Sequence, residues 1–303
     1  MTSSEKVAKQ LSASPITHEE AAENQFILKL RRMLPRLLLH TVLIFVAFTC
    51  LMPLFWMLSG SFKVKEEIFN VRPAWFPDPF TLVNYQNLFN LIPFWRQFFN
   101  TLFVCVVILA GQLFFSSMGA YAFARIRFPG RGVLFVLFLA SMMVPSAVTL
   151  IPTFIVVRYL GWVNSYMGLI GPVALGSAYA TFLLRQFMLT IPTELEEAAR
   201  IDGAGHFAIF FRVILPLIRP ALIVLVIIGF TFFWNDFLWP LIVINSNDLR
   251  TVTVGIATLS RGPHGTDWGV LMAGSTLSII PVMVVFFLAQ RQFIDGITIT
   301  GMK

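Results

Sequence analysis

Charge is what this sequence has least of. Only 12% of its 303 residues are Asp, Glu, Lys or Arg, while 57% are hydrophobic, and the mean hydropathy is +0.79. Soluble globular domains carry about 25% charged residues, so this composition excludes a soluble enzyme or binding module and identifies a polytopic membrane protein. There are two cysteines, Cys50 and Cys105, both within apolar runs; they act as small hydrophobes and exclude a disulfide framework. His18, His40, His206 and His264 have no ligand-like spacing, so no metal site is expected. No glycine precedes a lysine, which excludes a phosphate-binding loop ending in Gly-Lys. No catalytic residues and no cofactor are therefore expected on this chain. The net charge of +7 raises the question of nucleic acid, but no basic cluster has the size or aromatic interleaving of a nucleic-acid groove.

What is present is apolar length. Six segments suffice to cross a hydrocarbon core needing about 20 helical residues: 37–58, 102–124, 133–157, 166–184, 221–243 and 270–289. The 32 phenylalanines and 7 tryptophans suit lipid-facing surfaces and interfacial belts. The expected fold is an all-α membrane protein with six transmembrane helices. Residues 1–33 form a polar N-terminal tail, in which 17–30 admits either an amphipathic helix or disorder. With the N-terminus in the cytoplasm, fifteen of the 22 lysines and arginines fall inside and seven outside. Arg125, Arg127 and Arg131 crowd one short inner loop, and the positive-inside rule then places both termini in the cytoplasm.

Several spans carry interruptions: Pro145 and Pro152 in the third, Gly171-Pro172 in the fourth and Pro281 in the sixth. They are candidate kinks around a cavity, or residues simply common in membrane helices. Gly111, Ser116, Gly119, Ala120 and Ala124 offer the second span a small-residue surface for close packing. Asp236 is the one carboxylate inside the six windows, in Trp234-Asn235-Asp236-Phe237-Leu238-Trp239. A carboxylate there costs about 2.5–3.5 kcal/mol at a helix centre, and it either lines a pathway or forms a polar lock.

One polar island breaks the apolar text at 192–220. Thr193 and Glu196 have capping-box spacing, Gly203 suits a helix stop, and a second helix is expected over 206–213 before Pro216 interrupts it. The outcome is a helix-turn-helix knuckle.

The spacing Glu197-Ala198-Ala199, then Gly203, then Val213, Leu215 and Pro216 resembles the EAA loop of ABC importer permeases, with valine where the family usually has isoleucine. The resemblance extends from about residue 37 to the C-terminus through AYAFARIRFPGR, MMVPSAVTLIPTF, LGWVNSYMGLIGP and WNDFLWPL. It is most similar to carbohydrate-uptake permeases of the maltose and glycerol-3-phosphate type. That resemblance implies a type I ABC importer permease fold over 34–303 with a cytoplasmic coupling loop at 192–220, in a bacterial or archaeal plasma membrane. It implies that Glu197, Ala198, Ala199, Asp202, Gly203, Leu215 and Pro216 couple to an ATPase. Glu197 would make a polar contact, Asp202 would cap the turn or meet a basic group, and Leu215 and Pro216 would fasten the knuckle to the fifth span. The implied partners are a second homologous permease subunit, two cytoplasmic ATPase copies holding ATP and Mg, an extracytoplasmic sugar-binding protein facing 60–100, and membrane lipid. The 297–303 tail would lie near the ATPase. Trp234, Asn235, Asp236 and Trp239 are candidates for the substrate pathway. The alternatives are an ion-gradient-driven secondary transporter, for which Asp236 would be the evidence, and a membrane-embedded scaffold.

Overall fold

The computed structural model describes residues 18–70, 74–261 and 266–300, and among these every regular element is helical. The chain divides into two units, Met1–Trp56 and Met57–Lys303. The first contains most of the helix His18–Gly60, which absorbs residues 18–33 of the polar tail and carries Pro35 and Pro53 within it. Residues 1–17 of that tail and 301–303 of the C-terminal segment lie outside the described residues.

Among the described residues four helices are long and apolar enough to cross a membrane: Met33–Gly60, Phe94–Arg125, Tyr166–Leu189 and Trp268–Gln290. Two further pairs qualify only together and are sharply bent, Arg131–Met143 with Ser146–Tyr159 at 99° and His206–Leu217 with Arg219–Trp234 at 71°. Among the described residues that gives four candidate spans, or up to six if each bent pair is one.

The bends depart from the expected kinks in an instructive way. Pro145 does break its span, because proline cannot donate the bond that would continue the helix and disfavours helical backbone at Val144. Pro152, Pro172 and Pro281 stay inside helices. In the fourth segment the interruption falls at Gly176 instead, whose φ of +124° only glycine adopts cheaply. The expected fifth span, 221–243, stops at Trp234, and Leu238–Val243 is a separate short helix.

Within Met57–Lys303 the Phe94–Arg125 helix is the mast. Its 32 residues rise about 48 Å. It packs against Tyr166–Ala174, Ala178–Leu189 and Arg219–Trp234. Residues four apart share a face, so Cys105 and Leu109 join one buried cluster with Phe94 and Trp234 while Val104 and Ile108 join another with Leu169 and Val243. Near its end, Ala120 and Tyr121 pack with Leu184, Met188 and Ile214. Apolar burial drives little association inside lipid, so close approach matters more. The small-residue surface supplies it: a Cβ on Gly111 would stand 2.6 Å from the Ala174 carbonyl oxygen, and Ser116 Oγ accepts the Ser177 N–H at 2.9 Å.

Candidate functional site

Two features of Met57–Lys303 carry chemistry: the knuckle and a cavity. The knuckle begins with the helix Glu194–Ile201, whose first turn holds Glu194, Glu196 and Glu197 and whose last holds Arg200, the order that suits the helix dipole. The capping box expected between Thr193 and Glu196 does not form: Thr193 has helical backbone and caps nothing with its side chain. Glu196 turns inward instead. It is 4% exposed, with its Oε1 2.7 Å from Arg125 Nε. That contact is a charge pair without hydrogen-bond alignment; the guanidinium Nη2 donates to the carbonyls of Met188 at 2.8 Å and Ile191 at 2.5 Å. A buried carboxylate without a counter-charge is strongly destabilising, so the inward Glu196 is held at Arg125 and does not serve the box. Arg125 thus ties the knuckle to the mast and to the end of the Ala178–Leu189 helix.

Gly203, with φ +83°, ends the first knuckle helix. Its N–H donates to the Arg200 carbonyl at 3.0 Å and the Ala204 N–H to the Ala199 carbonyl at 2.9 Å, the paired bonds of a Schellman motif. Ala199 and Ala204 pack against the cluster beneath. The second helix continues from His206 through a π turn at Phe210–Ile214 to Leu217, so Pro216 lies within the run and not at its end. The widened turn falls where the proline ring would otherwise meet the Arg212 carbonyl.

The knuckle shows both charge and large apolar side chains outward, above a buried apolar layer of Ile209, Phe210, Ile214 and Ile218. Glu196 is inside, while Ile201 is 87% exposed, Phe207 71% exposed and Leu195 exposed. Glu197, Ala198, Asp202, Gly203 and Pro216 are exposed as well, and Ala199 and Leu215 are half-buried. The family-like spacing points to Glu197 and Ala198 but gives no hint of Ile201 or Phe207. Their signal was in the helix period: once Glu196 and Ala199 define the inner face, Ile201 falls on the outer one.

The cavity, about 340 Å³, lies between the mast, the Ser146–Tyr159 and Tyr166–Ala174 helices and the corner where the fifth segment breaks. Its volume lies within the range of small-molecule sites. At the corner, the Asn235 side chain donates to the Thr231 carbonyl at 2.8 Å. Asp236 follows, its carboxylate faced by the backbone N–H groups of Phe237, Leu238 and Trp239. Thr253 holds the corner by donating to the Asp236 carbonyl at 2.8 Å, and Trp239 Nε1 donates to the Gly168 carbonyl at 3.0 Å.

Of the four expected pathway residues, Asp236 and Trp239 line the cavity. Asn235 is exposed. Trp234 is buried elsewhere, 1% exposed, stacked on Phe230 and donating to the Ser278 carbonyl at 2.9 Å. Sequence reasoning missed the hydroxyl stripe Ser146, Thr149 and Thr153, which lines the wall together with Thr101 and Thr251. Its i, i+3, i+7 spacing was visible, but only the break at Pro145 sets where that helix begins.

Comparison with known proteins agrees with this architecture. Residues 112–298 match the family of binding-protein-dependent transport system inner membrane components. The chain is 38% identical over 262 residues to the arabinooligosaccharides transport system permease protein AraQ of Halalkalibacterium halodurans, covering 86% of this chain and 93% of that one. It is 36% identical over 265 residues to the sn-glycerol-3-phosphate transport system permease protein UgpE of Escherichia coli O1:K1, covering 85% and 94%. Among solved structures it shares its fold with a chain of a bacterial ABC transporter involved in the import of the acidic polysaccharide alginate, at TM-score 0.77 and 24% identity over 86% of this chain and 96% of that one. A second chain comes from a bacterial alginate ABC transporter in complex with an alginate pentasaccharide-bound periplasmic protein, at TM-score 0.62 and 16% identity over 86% and 94%. With its multiple apolar helices, inward-tied knuckle and family match over most of its length, this chain belongs to the binding-protein-dependent transport system inner membrane component family.

Proposed function

We propose that the chain is the transmembrane permease subunit of an ATP-driven importer for a sugar or sugar-like solute in a bacterial or archaeal plasma membrane. It forms half of the translocation pathway with a second homologous subunit. The knuckle at 192–220 faces the cytoplasm with both termini and seats on one of two ATPase copies, which hold ATP and Mg; this chain holds neither. The observation that carries the reading is the set of large apolar side chains that the knuckle exposes beside its charges. An apolar outer face of Leu195, Ile201 and Phe207, bordered by Glu197 and Asp202, is costly in water and favourable against a partner. Behind it, Arg125 and Glu196 join the knuckle to the mast, so a displacement of the partner becomes a tilt of the helices lining the cavity.

The cycle follows as alternating access. ATP favours one of two arrangements and the solute-loaded binding protein, meeting residues 60–100, favours the same one; hydrolysis removes the first bias. The cavity wall contributed by Asp236 and Trp239 contacts the solute in transit.

Reconstitution with the partner subunit, the ATPase and the binding protein tests this. Uptake into proteoliposomes is expected only with ATP on the ATPase side and with the binding protein on the other. Uptake driven by a proton or sodium gradient without ATP overturns the reading.

A further inference from the structure

The hydrogen-bond directions around the cavity say what kind of solute it admits. Thr101 Oγ1 donates to the Gln97 carbonyl at 2.8 Å and accepts the Val252 N–H at 2.8 Å. Thr149 Oγ1 donates to the Ser146 carbonyl at 3.0 Å and Thr153 Oγ1 to the Thr149 carbonyl at 2.7 Å. Thr253 spends its one proton on the Asp236 carbonyl, so in its 3.3 Å contact with Thr251 the proton comes from Thr251. Trp239 Nε1 is committed to Gly168. A hydroxyl has one proton and two lone pairs, so a wall whose protons point into the protein offers lone pairs to its contents. The Asp236 carboxylate, whose oxygens face the backbone N–H groups of Phe237, Leu238 and Trp239, adds negative charge to this wall. Among the described residues lining the cavity only Ser146 keeps a hydroxyl proton to offer, and no lysine, arginine or histidine lines it.

We infer that this wall selects neutral solutes rich in hydrogen-bond donors, sugars or polyols, and excludes phosphate esters and uronates. This rests on the proposed importer reading and narrows its substrate class. The hydroxyls of a sugar each bring a proton to an acceptor wall, and its ring face suits the half-buried Trp239 indole. A phosphate or carboxylate brings only lone pairs and a negative charge. It meets unpaired acceptors, a like charge at Asp236, and no cation to compensate its desolvation.

The test uses the purified permease–ATPase complex without its binding protein, so that selection by the binding protein is removed. Equilibrium dialysis compares radiolabelled trigalacturonate with its carboxyl-reduced neutral counterpart, galactotriose, which matches it in size. Galactotriose is expected to bind at least tenfold more tightly. Asp236→Asn is expected to shrink that ratio severalfold by removing the like charge. The Thr149→Val, Thr153→Val double variant is expected to weaken galactotriose and leave trigalacturonate unchanged, a pattern that misfolding cannot produce. Equal or tighter binding of trigalacturonate, a ratio unmoved by Asp236→Asn, or binding of neither probe overturns the inference. ATP-driven uptake of an anionic solute by the full complex would overturn it too, while leaving the importer reading standing; absence of ATP-dependent uptake of any solute would remove that reading itself.

Discussion

Removing one partner of the Arg125–Glu196 pair should loosen the knuckle locally, and the structure ranks the two ways of doing so. Side-chain exposures of 8% and 5% place both charges out of water. Breaking such a pair costs about 3–5 kcal/mol, mostly because a charge is left buried without a counter-charge. After Glu196→Gln the guanidinium still donates to the Met188 and Ile191 carbonyls, so the cost falls near the lower figure. Arg125→Met strands the Glu196 carboxylate and also frees both carbonyls, so it falls near the upper one. Arg125→Met with Glu196→Gln removes both charges and should cost less than the sum of the two single variants, with a coupling of about 2 kcal/mol. The readout is amide hydrogen exchange over Glu194–Ile201 in the reconstituted complex, where local opening dominates. About 3 kcal/mol corresponds to roughly a hundredfold faster exchange. Because the pair is shielded, raising ionic strength should change little. Single variants exchanging within about threefold of the parent, or costs that add within about 0.5 kcal/mol, would refute the assignment of Arg125 as the joint.

Other positions give narrower expectations. Gly203→Ala places a Cβ on a left-handed residue with open space around it, so only backbone strain of about 1–2 kcal/mol is expected, read as faster exchange at Ala204. Gly203→Pro should leave the protein in the membrane yet uncouple ATP hydrolysis from uptake; unchanged coupling would remove the knuckle's assigned role. Ile201→Asp should alter stability by no more than about 0.5 kcal/mol while abolishing binding of the ATPase, measured by co-purification. Gly168→Ala brings a Cβ to 2.4 Å from the Trp162 carbonyl oxygen and 2.8 Å from Val243 Cγ1, so a loss of about 1–3 kcal/mol in thermal stability is expected, with a shifted Trp239 emission as its indole loses the Gly168 carbonyl.

The membrane class and the helical spans were legible because apolar length is a one-dimensional property, and Gly203 was legible because a Schellman turn needs only local chemistry. Glu196 was not. Sequence spacing offered it a cap at Thr193, and only the third dimension brings Arg125, 71 positions earlier in the chain, to meet it. The fifth segment read as one span because its apolarity continues past Trp234; the break at 235–237 has a local bond from Asn235 to Thr231 and a tertiary one from Thr253 to the Asp236 carbonyl, and no local pattern announces the second. Trp234 and Trp239 looked equivalent in the sequence, and five positions apart on a broken helix they came to serve packing and cavity separately.

The outward Leu195, Ile201 and Phe207 also bear on how such a chain is made. Large apolar side chains left exposed offer proteases and chaperones the same grip that they would offer the proposed partner. On the proposed importer reading, cells that synthesise this chain without the ATPase partner should therefore clear it quickly, and its abundance should follow the supply of that partner more closely than the supply of its own message.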